Sequence, residues 1–195
     1  ALFLPSVAEM YPDGIKPSRH YDLGFLETSL EGEFRPGHFQ GVCMVVDRLL
    51  NIVQPDHLYL GQKDYQQCMV ISRLVELIGM KDRIMVNVCP TLRETDGLAM
   101  SSRNMRLTHE DRKKAPGIYK SMCYIKEHLV AGATNDVMVR AKGMLADTGF
   151  RTDYLELVDA TSLLPVSDWD GEQKLVILAA AFLGELRLID NLLVN

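Results

Sequence analysis

The chain has 195 residues, a mass of 21.9 kDa, 47% hydrophobic residues, a net charge of -5 and a pI near 5.5. That is enough apolar side chain for one large domain or two modest ones, and the acidic balance offers no general surface to a nucleic-acid backbone or an anionic membrane. Arg112-Lys113-Lys114 is the sole cationic triplet and reads as a solvated helix face. Apolar runs such as Leu175–Leu183 are too short to cross a bilayer, and no charged segment leads into an apolar one at the start. Cys43, Cys68, Cys89 and Cys123 stand singly without metal-ligand spacing. They are expected as reduced core residues of a cytoplasmic protein with no nucleic-acid and no membrane partner.

In chain order, Ala1-Leu2-Phe3-Leu4-Pro5 predicts an apolar strand running into a turn, so the chain is expected to begin inside a domain. From Phe39, apolar residues recur at Val42, Val46, Leu49, Leu50 and Val53, the spacing of an amphipathic helix ended by Pro55. Asp56–Leu60 predicts a strand broken by Gly61. Asp64 stands at the N-cap position of a second helix, which runs through Ile78 and stops at Gly79. Arg83–Cys89 is again strand-like, so Asp56–Cys89 forms a strand–helix–strand unit of the kind that builds parallel sheets, with ligands at the carboxyl ends of the strands.

Pro90–Asn104 lacks periodicity and is long for a passive loop, which makes it the first place to look for chemistry. Thr108 opens a helical region with Glu110 and Asp111 in its first turn, interrupted at Pro116-Gly117. A helix over Asn135–Leu145 is closed by Gly149, and strands follow at Asp153–Val158, Lys174–Ala181 and Leu186–Val194, the last two joined as a hairpin around Gly184. Parallel α/β followed by helices and antiparallel strands predicts two domains, 1–107 and 108–195.

Two segments could carry chemistry. In Gly61-Gln62-Lys63-Asp64-Tyr65-Gln66-Gln67, a strand end meets a helix start. Gly61 allows close approach of a ligand, helix-terminal amides suit phosphate, Lys63 adds a mobile charge, and Asp64 and Gln67 offer polar contacts. The same turn also reads as a simple cap with a solvated lysine. In Asp96-Gly97-Leu98-Ala99-Met100-Ser101-Ser102-Arg103-Asn104, two hydroxyls and a guanidinium form a compact donor set for a triphosphate, or else a flexible polar loop.

Taken with Met10-Tyr11-Pro12-Asp13-Gly14, Arg35-Pro36-Gly37-His38-Phe39 and Arg187-Leu188-Ile189-Asp190-Asn191, these segments occur in the order seen in pantothenate synthetases, and the chain resembles that family over essentially its whole length. The resemblance implies an incomplete Rossmann-like nucleotidyltransferase domain, similar to class I aminoacyl-tRNA synthetases, followed by a small α+β lid domain. It implies ATP-dependent condensation of pantoate with β-alanine through a pantoyl adenylate, with Mg2+ accompanying ATP and a homodimeric parent. Lys63, Ser101, Ser102 and Arg103 match the catalytic phosphate contacts. Gly61, Gln62, Asp64 and Met100 match further ATP contacts, Leu92 a backbone contact to adenine, and Gln67 and Arg35 the pantoate cavity. No residue matches a metal ligand.

The family's usual Phe-Gly-Glu-Lys-Asp stands here as Leu60-Gly61-Gln62-Lys63-Asp64, and its Arg-Leu-Gly as Phe182-Leu183-Gly184. The family's His-x-Gly-His segment has no counterpart, and none of His20, His38, His57, His109 or His128 has that spacing. These 195 residues alone are therefore expected not to run the complete reaction. The alternative is a non-catalytic nucleotide-binding or dimerisation fragment of such an enzyme.

Overall fold

The computed structural model describes residues 2–12, 14 and 19–195. Contacts gather the chain into two compact units, the first from residues 1–60 and 66–87, the second from 61–65 and 88–195.

In the first unit the strand expected over residues 1–5 does not form: Ala1 lies outside the described residues, and 2–5 take no regular structure. A short helix α1 (Val7–Met10) begins instead, because Ser6 and Glu9 make a reciprocal capping box, Ser6 N–H to Glu9 Oε2 at 2.7 Å and Glu9 N–H to Ser6 Oγ at 3.3 Å. Asp13 of the Met10–Gly14 motif also lies outside the described residues.

Helices α2 (Phe25–Thr28) and α3 (Glu31–Phe34) form a corner, and α4 (His38–Val53) follows from Gly37, whose φ of 76° supplies the left-handed entry. Helix α4 ends at Gln54, before Pro55, which lacks the N–H to continue it. Tyr21 is fastened to this helix by its hydroxyl, which donates to Asp47 at 2.7 Å, and by Gln40, which bonds both its N–H and its carbonyl.

Strand β1 (His57–Gly61), helix α5 (Tyr65–Leu77) and strand β2 (Met85–Cys89) make the expected strand–helix–strand unit, with β1 and β2 paired in parallel. Gly79, at φ 72°, turns the chain out of α5. At the entry to α5 a 3-10 turn over Gln62–Asp64 runs directly into the helix, so Asp64 is the last residue of that turn and stands immediately before Tyr65, the first residue of α5. Phe39, Cys43 and Leu50 of α4 and Val70, Leu74 and Val75 of α5 are buried, and they supply much of this unit's core. Burial pushes the Cys43 thiol up to about 12, which makes it a packing group and not a nucleophile. Cys68 is buried and Cys123 half-buried, but Cys89, at the end of β2, is exposed; as the last residue of a short strand it leaves the covered face.

The second unit is helical first. Helix α6 (His109–Lys114) starts at Thr108, whose hydroxyl accepts from Asp111 N–H at 3.1 Å. Pro116 separates it from α7 (Gly117–His128). After the short strand β3 (Gly132–Ala133) comes α8 (Asn135–Asp147), closed by Gly149 at φ 93°. Strands β4 (Arg151–Asp159), β6 (Leu175–Leu183) and β7 (Leu186–Leu193) form an antiparallel sheet in the order β4-β6-β7, while β5 (Asp168–Trp169) pairs with β3. Gly184, at φ 57°, takes the first of the two turn positions between Leu183 and Leu186, as a tight hairpin requires.

Strand β6 is central and buried on both faces, which is why its sequence is continuously apolar and does not alternate. Leu175, Ile177, Ala179 and Ala181 pack with Ile118, Met122 and Ile125 of α7 and Ala141 and Leu145 of α8. Ile177 is fully buried in this cluster. Ile177→Ala is expected to cost about 2–5 kcal/mol of stability, read from urea unfolding; a loss below about 1 kcal/mol would show that the sheet is not the core of this unit.

Candidate active site

Residues 61–65 of the first segment singled out for phosphate chemistry and the whole of the second come together within the second unit, and the last strand holds them. At the end of β1, Gly61 has φ -80° and nothing within 4 Å of where a Cβ would stand, so its backbone does not require glycine. The next three residues form the 3-10 turn, and that turn is gripped from behind. Asn191 of β7 donates its carboxamide N–H groups to the carbonyls of Gln62 at 2.8 Å and Lys63 at 2.9 Å, and accepts from the Gln62 side-chain amide at 3.0 Å. The Tyr65 hydroxyl donates to Ala160 O at 2.7 Å, a further tie to the same unit.

The long loop is ordered by its own backbone. Met100 N–H donates to Leu92 O, Glu94 N–H to Leu98 O and Gly97 N–H to Glu94 O, while Arg93 and Ala99 form an antiparallel bridge. Gly97 is required twice over: its φ is 92°, and a Cβ there would collide with the Tyr119 ring. Asp96 accepts from Leu98 N–H and from Arg112, and the Arg112 bond holds its carboxyl below the usual carboxylate range. The triplet Arg112-Lys113-Lys114 is thus not simply solvated: Arg112 braces the loop and Lys113 pairs with Glu110.

Beyond the bend, Ser101 caps a second 3-10 turn, Ser102–Arg106, by accepting from Arg103 N–H at 3.2 Å, and Asn104 donates to Ala99 O at 2.9 Å. Ser102 and Arg103 are left exposed above a fixed base.

Arg93 joins loop and strand. Its guanidinium binds Asp190 through both oxygens at 2.7 and 3.0 Å, donates to the carbonyls of Gly97 and Asn191, each at 3.0 Å, and lies 4.2 Å from the centre of the Tyr119 ring. The Asp190 side chain is only 1% exposed; burial pushes its carboxyl up, while the Arg93 fork pulls the other way.

Lys63, Ser101, Arg103, Asn104, Arg187 and Asp190 are among the residues that line one open cleft. It presents cations and the Ser101 hydroxyl over a base of main-chain hydrogen bonds, a donor set suited to an anion with several oxygens. Leu92 (75% exposed) and Met100 (48% exposed) sit side by side on the same loop. Asp64 is exposed in the turn.

Arg35 and Gln67 belong to the first unit. Arg35 is exposed at the end of α3, and Gln67 is half-buried on α5. Its neighbour Gln66 is structural: it donates to the carbonyls of Leu26 and Ser29 and accepts from Glu31 N–H, closing the α2–α3 corner. The histidines described have local roles, such as His38 against Phe39 at 5.1 Å between ring centres and His128 bonded to Tyr124 O and stacked on its ring.

The model of the pantoate-β-alanine ligase family matches residues 1–193. The chain belongs to the pantoate-β-alanine ligase family. Two crystal structures of the pantothenate synthetase of Thermus thermophilus are 44% identical to it, with TM-scores of 0.88 and 0.86, over 97% of this chain and 68% of theirs. A pantoate-β-alanine ligase of Francisella tularensis, solved in complex with β-γ ATP and β-alanine, is 33% identical with a TM-score of 0.68, over 96% of this chain and 62% of its own. The α/β architecture is that of these ligases, a nucleotidyltransferase-like fold with a C-terminal domain.

Arg93, Asp190, Asn191 and Tyr119 were not singled out for any role by sequence reasoning; the signal that finds the pair is an acid and an amide inside the apolar strand Leu186–Leu193. Asp190→Ala leaves Arg93 without its carboxylate and is expected to cost about 3–5 kcal/mol, with Arg93→Met in the same chain recovering part of it. Urea unfolding of Asp190→Ala, Arg93→Met and the double variant checks this; a double-variant loss equal to the sum of the two single losses would mean the pair is not coupled.

Proposed function

We propose that this chain carries the nucleotide-handling part of an ATP-dependent condensation of pantoate with β-alanine, giving pantothenate, AMP and pyrophosphate. The observation that carries the reading is the cleft in which Lys63, Ser101 and Arg103 converge. The Francisella tularensis relative in complex with β-γ ATP and β-alanine supports the choice of ligands.

In the proposed reaction a carboxylate oxygen of pantoate attacks the α-phosphorus of ATP, pyrophosphate leaves, and the amine of β-alanine then attacks the acyl carbon and expels AMP. Lys63, Ser101, Ser102 and Arg103 hold the phosphate oxygens and stabilise the charge that moves onto them during the first step. Gly61, Gln62, Asp64 and Met100 line the nucleotide's path, and the main chain at Leu92 faces adenine. Gln67 and Arg35 are assigned to pantoate, Arg35 through its planar fork.

Among the described residues no group of three or more His, Cys, Asp or Glu is placed to hold a metal ion. Mg2+ enters this reading as the counter-ion of the triphosphate. By function the boundary lies near Leu107, with 108–195 acting as the lid. A homodimeric parent and a cytoplasmic location complete the proposal; no helix among the described residues is long and apolar enough to cross a membrane.

The sequence contains no His-x-Gly-His, so the chain alone is expected to bind ATP without turning it over. Calorimetry of ATP binding and pantoate-dependent exchange of labelled pyrophosphate into ATP check this together, with Arg103→Ala beside the parent chain. The expected result is ATP binding weakened about tenfold by Arg103→Ala, with no exchange. Exchange that is lost in Arg103→Ala would show that adenylation needs no histidine motif, and absence of ATP binding would remove the reading.

A further inference from the structure

The cation at the heart of the cleft sits on a turn whose carbonyls are held by a side chain 128 residues away in sequence. A 3-10 turn has poorer hydrogen-bond geometry than an α-helix and is kept in place by outside contacts. Here the contact is Asn191, which is 1% exposed and uses its whole carboxamide on the turn: its nitrogen donates to Gln62 O and Lys63 O, and its oxygen accepts from Gln62 Nε2. The strand position before it, Asp190, is locked by Arg93, and Asn191 N–H itself donates to Asp190 Oδ1 at 2.8 Å. Asn191 therefore has no freedom to follow the turn; the turn must follow Asn191.

We propose that Asn191 is a positioning residue for the triphosphate, fixing the Lys63 turn at the cleft, and that Gln62 completes the grip with its side-chain amide. The assignment rests on the ATP reading given above. It gives a specific role to the side chain of Gln62. With both Asn191 N–H groups committed to main-chain carbonyls, the group facing Asn191 Oδ1 must be a donor. An amide satisfies this and an ionised carboxylate does not. The side chain of Gln62 is thus spent on the turn, and its contribution to ATP is made through the main chain.

A residue that merely stabilises the fold would, when changed, weaken every ligand alike. A residue that aims Lys63 would weaken ligands in proportion to their phosphates. The test compares the affinities of ATP and adenosine by calorimetry for the parent chain, Asn191→Leu and Gln62→Met, with deuterium uptake of the peptide containing residues 62–65 measured alongside. Leu and Met keep approximate size and add no charge; Gln62 is half-buried, so Gln62→Met carries the test where Asn191→Leu fails to fold.

The expected result is an ATP affinity about tenfold lower in Asn191→Leu and a smaller loss in Gln62→Met. Adenosine affinity is expected to stay within about twofold, with faster deuterium uptake at 62–65. Equal losses for ATP and adenosine, or unchanged ATP affinity with unchanged uptake, would overturn the assignment. A parent chain that binds ATP no better than adenosine would remove both the ATP reading and the positioning role, while the uptake comparison would still show whether the turn depends on Asn191.

Discussion

The organisation of the second unit depends on the bond between Arg93 and Asp190. It is a two-point ion pair with the carboxylate almost fully enclosed, and a buried pair of this kind is held only if every remaining donor and acceptor is answered. Here Gly97 O, Asn191 O, Asn191 N–H and the Tyr119 ring answer them. One guanidinium thereby ties the bend of the long loop to the last strand, and the next residue of that strand ties in the Lys63 turn. Without this junction, Lys63 and Ser101–Arg103 would be two unrelated polar loops on two stretches of chain.

The junction also accounts for the division of labour within the loop. Residues up to Ala99 are fixed by main-chain bonds, by Asp96 with Arg112 and by the close approach of Gly97 to Tyr119. Ser102 and Arg103 stand exposed on the 3-10 turn that Ser101 caps. A rigid stem carrying accessible donors is what binding a triphosphate calls for, since the ordering entropy of the stem is already met in the free protein.

Much of the fold was legible in the sequence where periodicity and punctuation agreed. Helix α4 between Gly37 and Pro55, the break at Pro116 and the hairpin at Gly184 each follow from a local rule with a single outcome. The apolar start misled, because the Ser6–Glu9 capping box outweighs β-propensity in a segment that joins no sheet among the described residues.

The candidate site was half legible. Lys63, Ser101 and Arg103 are conspicuous by residue type and meet at one cleft. Arg93, Asp190 and Asn191 act through bonds spanning about a hundred residues of sequence, and no local pattern encodes such a pairing. In the reading proposed above, the second unit presents a ready-made triphosphate site at this cleft. Its most direct test is an amide-resolved NMR titration of the chain with ATP. Shifts that saturate are expected at 61–64, 100–104 and 187–191; saturating shifts confined to residues outside these three segments would place ATP elsewhere.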